Sequence, residues 1–314
     1  LAAYGALWNA ARGALVAPLS RLRGSVLWVP SAWVVMEALR GRVPLGGFPW
    51  GEIAFSQGNS PVSALASIAG MAGLTFLVVA LAVLTVEGIR RRKFVPVALA
   101  AAAVVVAILV IPRPLTVGGQ ESTATVAVVQ GGTPGTGMDA LSVRRAVLQN
   151  HVDETLALAA AVDAGAEPPP DFVVWPENAS DIDPFRDPSA AALIDAAVRA
   201  IAAPVLVGVV LAPEDPTKVA TAGVGWDPVS GPGERYVKMH PVPFGEFLPF
   251  RDQLTALIGR FDRVPRDFVR GTEPGILNIG GAVVGDAICF EVAYDDVFTS
   301  VIAGGAEVRT RVNI

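Results

Sequence analysis

The stretch VGDAICFE (residues 284–291) carries the only cysteine in 314 residues. Its apolar, β-branched opening fits a buried strand. The run closes on Cys289, with the acid Glu291 two residues later. A lone cysteine most simply fills core space as a small hydrophobe. One that arrives at a strand end beside an acid has a second use, as a nucleophile. If FEVAYDDVF (residues 290–298) continues as a helix, the thiol sits at its N-terminus, where the helix dipole favours thiolate.

Working outward, residues 123–288 alternate short β runs with helical stretches. Strands are expected at 123–130, at the DFVVW segment closing on Trp175, and at 205–210, 223–226, 235–239 and 282–288. Helices are expected at 139–164 and from Pro188 to about residue 203. This is the pattern of an α/β layered domain. Two more polar residues stand where strands stop. Glu177 follows VVWP, so a carboxylate is delivered at the edge of a buried strand, the place for a general base. Lys238 closes a strand in RYVKMHPVPFGEFLPF, and Glu246 follows in a loop stiffened by proline and glycine. A Glu, a Lys and a Cys on three strand ends suit acyl transfer through a thioester: the base takes the thiol proton, sulfur attacks a carbonyl, and the ammonium meets the developing oxyanion.

Taken singly, each residue has a plainer reading. Lys238 fits a solvated strand-end charge and Glu246 a loop acid. Glu291 fits a carboxylate satisfying backbone N–H groups at a helix start, a role compatible with a functional one. His240, with no serine or second cysteine to activate, reads as structural, and Asp295 and Asp296 as solvated helix charges.

The front of the chain has a different texture. The whole is 52% apolar with mean hydropathy +0.51, too apolar for one ordinary soluble domain, yet its 17% of charged residues is too many for a purely intramembrane protein. Residues 62–86 and 94–111 are uncharged, and a helical span needs roughly 20 residues. Between them Arg90, Arg91, Arg92 and Lys93 form a basic cluster that the positive-inside rule places in the cytoplasm. Everything after residue 111 then emerges on the extracytoplasmic side. Residues 24–39, with Trp28 and Trp33, and residues 1–20, with Arg12, read as two earlier spans. Residues 41–61 break helical regularity at Gly46, Gly47, Pro49 and Gly51 but keep Phe48, Trp50 and Phe55. They read either as a simple loop or as an interfacial arm giving access to lipid. The expected division is a transmembrane helical region over 1–112, with the arm around 41–61, and an extracytoplasmic catalytic domain over 113–314. The chain opens mid-helix without a start methionine and stops about 25 residues after Cys289, so truncation is expected at both ends.

A net charge of −5 leaves no basic face for nucleic acid. One cysteine and two scattered histidines exclude a disulfide framework and a Cys/His metal cluster. Neither a Gly-rich phosphate loop nor a G-x-S-x-G elbow is present.

WPENAS, YVKMHPVPFGEFLPFR and GDAICFE, in that order and after a membrane-spanning front, resemble the carbon–nitrogen hydrolase (nitrilase) superfamily. More narrowly, they resemble its membrane-embedded branch, the apolipoprotein N-acyltransferase family, and GGFPWGEIAFSQ is similar to that family's membrane arm. The resemblance implies a nitrilase-like αββα sandwich preceded by a transmembrane helical bundle, multi-pass in a bacterial inner membrane. It implies catalytic Glu177, Lys238 and Cys289, supported by Glu246, Glu291 and Phe290, the last standing where some members have Tyr. Phe48, Trp50 and Phe244 are the implied substrate-binding aromatics. No metal or cofactor is implied. The partners are membrane phospholipid as acyl donor, the diacylglyceryl-cysteine of an apolipoprotein as acceptor, and the bilayer itself. A membrane-tethered amidase that resolves the same acyl-enzyme with water, and a non-catalytic scaffold keeping the fold, are the competing readings.

Overall fold

The computed structural model describes residues 2–110, 124–134, 145–257, 259 and 266–305. The chain divides into two compact units, Leu1–Gly118 and Gly119–Ile314. The boundary expected at 112/113 and the expected helical residues 139–144 lie outside the described residues.

In the first unit each apolar run is helical: α1 (Ala2–Leu19), α2 (Ser25–Arg40), α3 (Ala66–Arg91) and α4 (Val95–Val110), with 3₁₀ turns at Ile53–Gln57 and Pro61–Leu65. Among the described residues one helical stretch, Pro61–Arg91, is long and apolar enough to cross a membrane. The 16 described residues of α4 rise about 24 Å, against a hydrocarbon core of about 30 Å. Each of the four expected spans is helical, and among the described residues one of them meets the length and hydropathy of a span. The basic cluster is also placed differently. Helix α3 takes in its first two residues, Arg90 and Arg91, with Arg91 paired to Glu87 one turn back at 2.5 Å, and ends where Arg92 turns left-handed.

The arm segment is folded onto the last turn of α2 by two buried charges. Glu37, 3% exposed, accepts from Trp33 Nε1, the Ile53 amide and Thr75 Oγ1. Arg40 Nη1 donates to the carbonyls of Phe48 and Trp50 at 2.8 and 2.6 Å. Charges in such surroundings survive only when bonded, and here the partners from the arm itself are backbone groups: the Ile53 amide for Glu37 and the Phe48 and Trp50 carbonyls for Arg40. Gly47, at φ +76°, allows the approach, because a Cβ there would strike the Gly41–Arg42 backbone.

The second unit contains β1 (Val126–Val128), α5 (Ala146–Asp163), β2 (Phe172–Val174), α6 (Pro188–Ile201), β3 (Val205–Leu211), β4 (Lys218–Asp227), β5 (Gly231–Val237), α7 (Arg251–Leu257), β6 (Asp267–Phe268), β7 (Ile276–Ile279), β8 (Ala282–Gly285) and α8 (Asp295–Gly305). The strands β1-β2-β3-β4-β5 form one sheet in that order. The first three are parallel, β4 and β5 are antiparallel additions, and β6 pairs with the start of β4. Period-2 alternation divides the two faces. Val205, Val207 and Val209 of β3, with Ala222, Val224 and Trp226 of β4, face α5 and α6 through Leu148, Val152, Ile194 and Val198. Burying each large apolar side chain there contributes about 1.5–3 kcal/mol. On the opposite face Phe172, Leu206 and Tyr236 meet Leu277, Ile279 and Ala282 of the β7–β8 hairpin. Helix α8 covers the hairpin, with Val301 against Gly285 and Gly304 against Ile276. The layers read helix, sheet, sheet, helix, the second sheet having two strands among the described residues.

Two elements differ from expectation near the cysteine. The final strand ends at Gly285, so Asp286 to Ile288 form an extended link. Beyond that link the chain makes a 3₁₀ turn, Cys289–Ala293, before α8 begins at Asp295.

Candidate active site

Three glycine-enabled close approaches shape the site floor. Gly208 of β3, Gly223 of β4 and Tyr236 of β5 are consecutive register partners, so they share one face of the sheet, the face of the β7–β8 hairpin. A Cβ on Gly208 would strike the carbonyl of Pro176, so the backbone leading into Glu177 lies directly on β3. Ser180 fixes the same loop by donating its amide to Gly208 O at 2.9 Å. A Cβ on Gly223 would strike Asp286 Oδ2, and one on Gly275 would strike the Asp286 carbonyl, which seats the link before Cys289 on the same floor.

Lys238 comes directly after β5, and its amide is held by Thr221 O at 2.9 Å. Its ammonium, on a side chain 1% exposed, donates to Glu177 Oε1 at 2.8 Å and to Glu246 Oε1 at 2.7 Å. Burial works against the charge. Glu177 and Glu246 outweigh it and hold the lysine pKa above its ordinary value. Glu246 is itself fixed, its Oε2 accepting from the Val242 amide at 2.9 Å. Two of the three ammonium protons are thus committed, and the third has no acceptor among the described residues.

Cys289 is free and exposed, with φ +54°, left-handed for a residue that carries a Cβ. Asn178, beside Glu177, and Phe244, in the lysine loop, share that conformation at φ +57° and +65°. Such geometry costs on the order of 1–3 kcal/mol per residue and gathers at functional sites. The helix-dipole expectation for the thiol is overturned. Burial pushes the Cys289 thiol up, and the Glu177 carboxylate, within hydrogen-bonding reach, pushes it further, against the opposing pull of Lys238. A five-residue 3₁₀ turn is too short to offset them, so the resting sulfur is a thiol that needs a base.

Glu291 is fully buried. Its Oε1 accepts from Tyr236 Oη (2.8 Å), the Met239 amide (2.6 Å) and the His240 amide (3.0 Å), and its Oε2 from the Ile288 amide at 2.9 Å. One carboxylate therefore ties the residues after the lysine to the residue before the cysteine. Phe290 is buried edge-on against Tyr294, ring centroids 5.4 Å apart. Phe244 is exposed in the lysine loop. Phe48 and Trp50 belong to the first unit, where Arg40 holds their carbonyls.

His240 stacks on Tyr294 at 4.0 Å, with Nε2 3.2 Å from Asp296 and Nδ1 3.3 Å from Arg270. Asp296 is thus within hydrogen-bonding distance of His240 rather than a purely solvated charge. Sequence reasoning misses Tyr236, although its i, i+2 spacing from Lys238 places it on the same strand face, and misses Asp286, which lies inside the stretch that carries the cysteine.

The Glu–Lys–Glu cluster beside a strained cysteine gives the comparisons with known proteins a site to refer to. Residues 1–84 match the model of the apolipoprotein N-acyltransferase N-terminal domain. The chain is 39% identical over 280 residues to an apolipoprotein N-acyltransferase of Mycolicibacterium smegmatis, covering 81% of this chain and 47% of that protein.

The chain belongs to the apolipoprotein N-acyltransferase family.

Further members from Photobacterium profundum (31% identical, 100% of this chain, 59% of that protein) and Vibrio parahaemolyticus (30%, 89% and 54%) align similarly. The chain spans about half the length of these curated N-acyltransferase relatives. Among solved structures, an amidase from Nesterenkonia sp. AN1 matches at 14% identity and TM-score 0.40, over 60% of this chain and 64% of that one.

Proposed function

We propose that the chain carries the catalytic centre of a phospholipid-dependent apolipoprotein N-acyltransferase, multi-pass in a bacterial inner membrane with the second unit extracytoplasmic. The observation that carries this reading is the double engagement of Lys238 by Glu177 and Glu246 beside Cys289. That arrangement supplies a base, a nucleophile and one unused ammonium proton.

In the first half-reaction Glu177 takes the proton of the Cys289 thiol, and the sulfur attacks an ester carbonyl of the phospholipid. The oxyanion that forms is met by the third N–H of Lys238, a donor of the kind worth roughly 10²–10³ in rate. Collapse breaks the ester C–O bond, Glu177 returns its proton to the leaving glycerol oxygen, and lysophospholipid departs. In the second half-reaction the α-amine of a diacylglyceryl-cysteine attacks the thioester, Glu177 passes one of its protons to the departing sulfur, and the amide is released. Both substrates are lipid-anchored, which gives a reason for joining such a site to an apolar helical unit. Membrane crossings beyond Pro61–Arg91, and aromatic substrate contacts at Phe48, Trp50 and Phe244, are part of the same proposal.

Intact-mass analysis after incubation with phospholipid vesicles tests the reading. The expected result is a gain of one fatty acyl group, removed by hydroxylamine, absent in Cys289→Ala and failing to accumulate in Glu177→Ala. An unchanged mass in the unsubstituted protein, with Cys289 still open to alkylation, would overturn it.

A further inference from the structure

The carboxylates of the site are not equivalent. Glu177 and Glu246 each accept from Lys238, and Glu291 accepts four hydrogen bonds. Asp286 differs. Its amide is anchored to Gly275 O at 2.8 Å, and its carboxyl lies against Gly223 on the floor that carries Glu177 and Tyr236. Yet its side chain neither accepts a hydrogen bond nor pairs with a cation among the described residues. It is half-buried, three residues before the nucleophile. The charged and titratable groups that reach it are Glu177, Glu291 and Tyr236, none of them a cation. Burial first, then Glu291 and Glu177, push its carboxyl up to about 7.

The proton balance of the second half-reaction leaves a vacancy of the same kind. An α-amine has an ordinary pKa of about 8 and arrives largely as an ammonium. Of its three protons the amide product keeps one, and Glu177 relays one to sulfur. The remaining proton must leave before nitrogen can attack, and Glu177 cannot hold both. The ester donor of the first half-reaction brings no such proton.

We propose that Asp286 is the acceptor-side carboxylate of this site, pairing with the incoming primary ammonium and taking its first proton, so that a neutral amine attacks the Cys289 thioester. This rests on the N-acyl-transfer reading above. The step balances: the ammonium N–H bond breaks, the carboxylate gains the proton and later passes it to water, and the freed nitrogen lone pair forms the C–N bond as the C–S bond breaks. A carboxylate without a cation of its own has a physical reason to select a cationic acceptor over water, because the ammonium brings the missing counter-charge.

The test loads the acyl-enzyme from phosphatidylethanolamine or phosphatidylglycerol vesicles, follows loading by intact mass, and chases it with a diacylglyceryl-cysteine peptide or with hydroxylamine, a nucleophile uncharged near neutrality. Asp286→Asn and Asp286→Ala are expected to slow transfer to the peptide on the order of 100-fold and to raise its KM, while the hydroxylamine chase stays close to that of the unsubstituted protein. Transfer by the variants should recover as pH rises past the α-amine pKa, where the acceptor arrives uncharged. Equal losses with both nucleophiles would make Asp286 merely structural and overturn the proposal, as would unimpaired peptide transfer by Asp286→Asn. Failure of the unsubstituted protein to load any acyl group is a separate outcome, which sinks the acyl-transfer reading itself and this assignment with it.

Discussion

The phenol of Tyr236 donates to Glu291 Oε1 at 2.8 Å across 55 residues of sequence. That bond, with the Met239 and Ile288 amides on the same carboxylate, makes the spacing between lysine and cysteine a property of one buried side chain. Burial and the Glu291 carboxylate together drive the Tyr236 phenol far up, so it remains a donor throughout the working pH range.

Glu291→Gln tests this knot. The amide keeps one acceptor oxygen and turns its NH₂ toward backbone N–H groups that need an acceptor. Each donor left unsatisfied in a buried site costs about 1–3 kcal/mol. The variant should unfold at lower denaturant than the unsubstituted protein and acylate Cys289 more slowly. A fold of unchanged stability would show that the four hydrogen bonds do not hold the turn.

The thiol should ionise at higher pH than an ordinary cysteine, because burial and then the Glu177 charge both favour its neutral form. Removing the negative charge with Glu177→Gln lowers that barrier, so the pH profile of Cys289 alkylation should move to lower pH even as acyl transfer is lost. A shift to higher pH would mean that Glu177 acts on the sulfur in the opposite sense.

Gly208→Ala places a methyl group into the carbonyl of Pro176. The backbone under Glu177 must then move off β3, at a cost of about 1–3 kcal/mol for an overpacked position. Activity should fall further than stability does, since the displaced residue is the proposed base. Thermal melts and acylation rates on one preparation separate the two effects.

Asp187 caps α6, accepting from Ser189 and Ala190, and pairs with Arg145 at 2.6 Å. The hydroxyl of Ser189 first, with its other donors, holds the Asp187 carboxyl down to about 2 against an ordinary 3.8. A depressed folded value gives stability that is present above 3.8 and lost as pH falls toward about 2. Asp187→Asn should flatten the dependence of Tm on pH across that window. A slope identical to that of the unsubstituted protein would remove Asp187 from the acid sensitivity.

Much of the fold is legible because its signals are local. The β-branched run at 205–210, the GVGW segment at 223–226 and the proline-led helix after Asp187 announce their elements; the structure lengthens the two strands and ends the helix about two residues early. The first strand of the β7–β8 hairpin goes unread, only 282–288 being expected as a strand, because ILNI is four residues long and runs straight into the Gly280–Gly281 turn, so that pairing rather than periodicity reveals it. The turn after Cys289 reads as a helix start because its acids and apolar residues suit both. Only the left-handed backbone at Cys289 and the buried bond from Ile288 N to Glu291 decide the matter.

By itself the sequence determined the chemistry on offer: a single thiol, a lysine and two glutamates near strand ends, and an apolar front third whose charges are few. Strand and helix periods are written in neighbouring residues, so they can be read there. Tertiary structure alone decided that Glu177 and Lys238, 61 residues apart, share a hydrogen bond, that Glu291 is a clamp, and that Asp286 has no cationic partner among the described residues. Those facts depend on the register of β3, β4 and β5 and on glycines at which another segment comes to rest, and a pairing between distant strands leaves no mark on the local pattern of either.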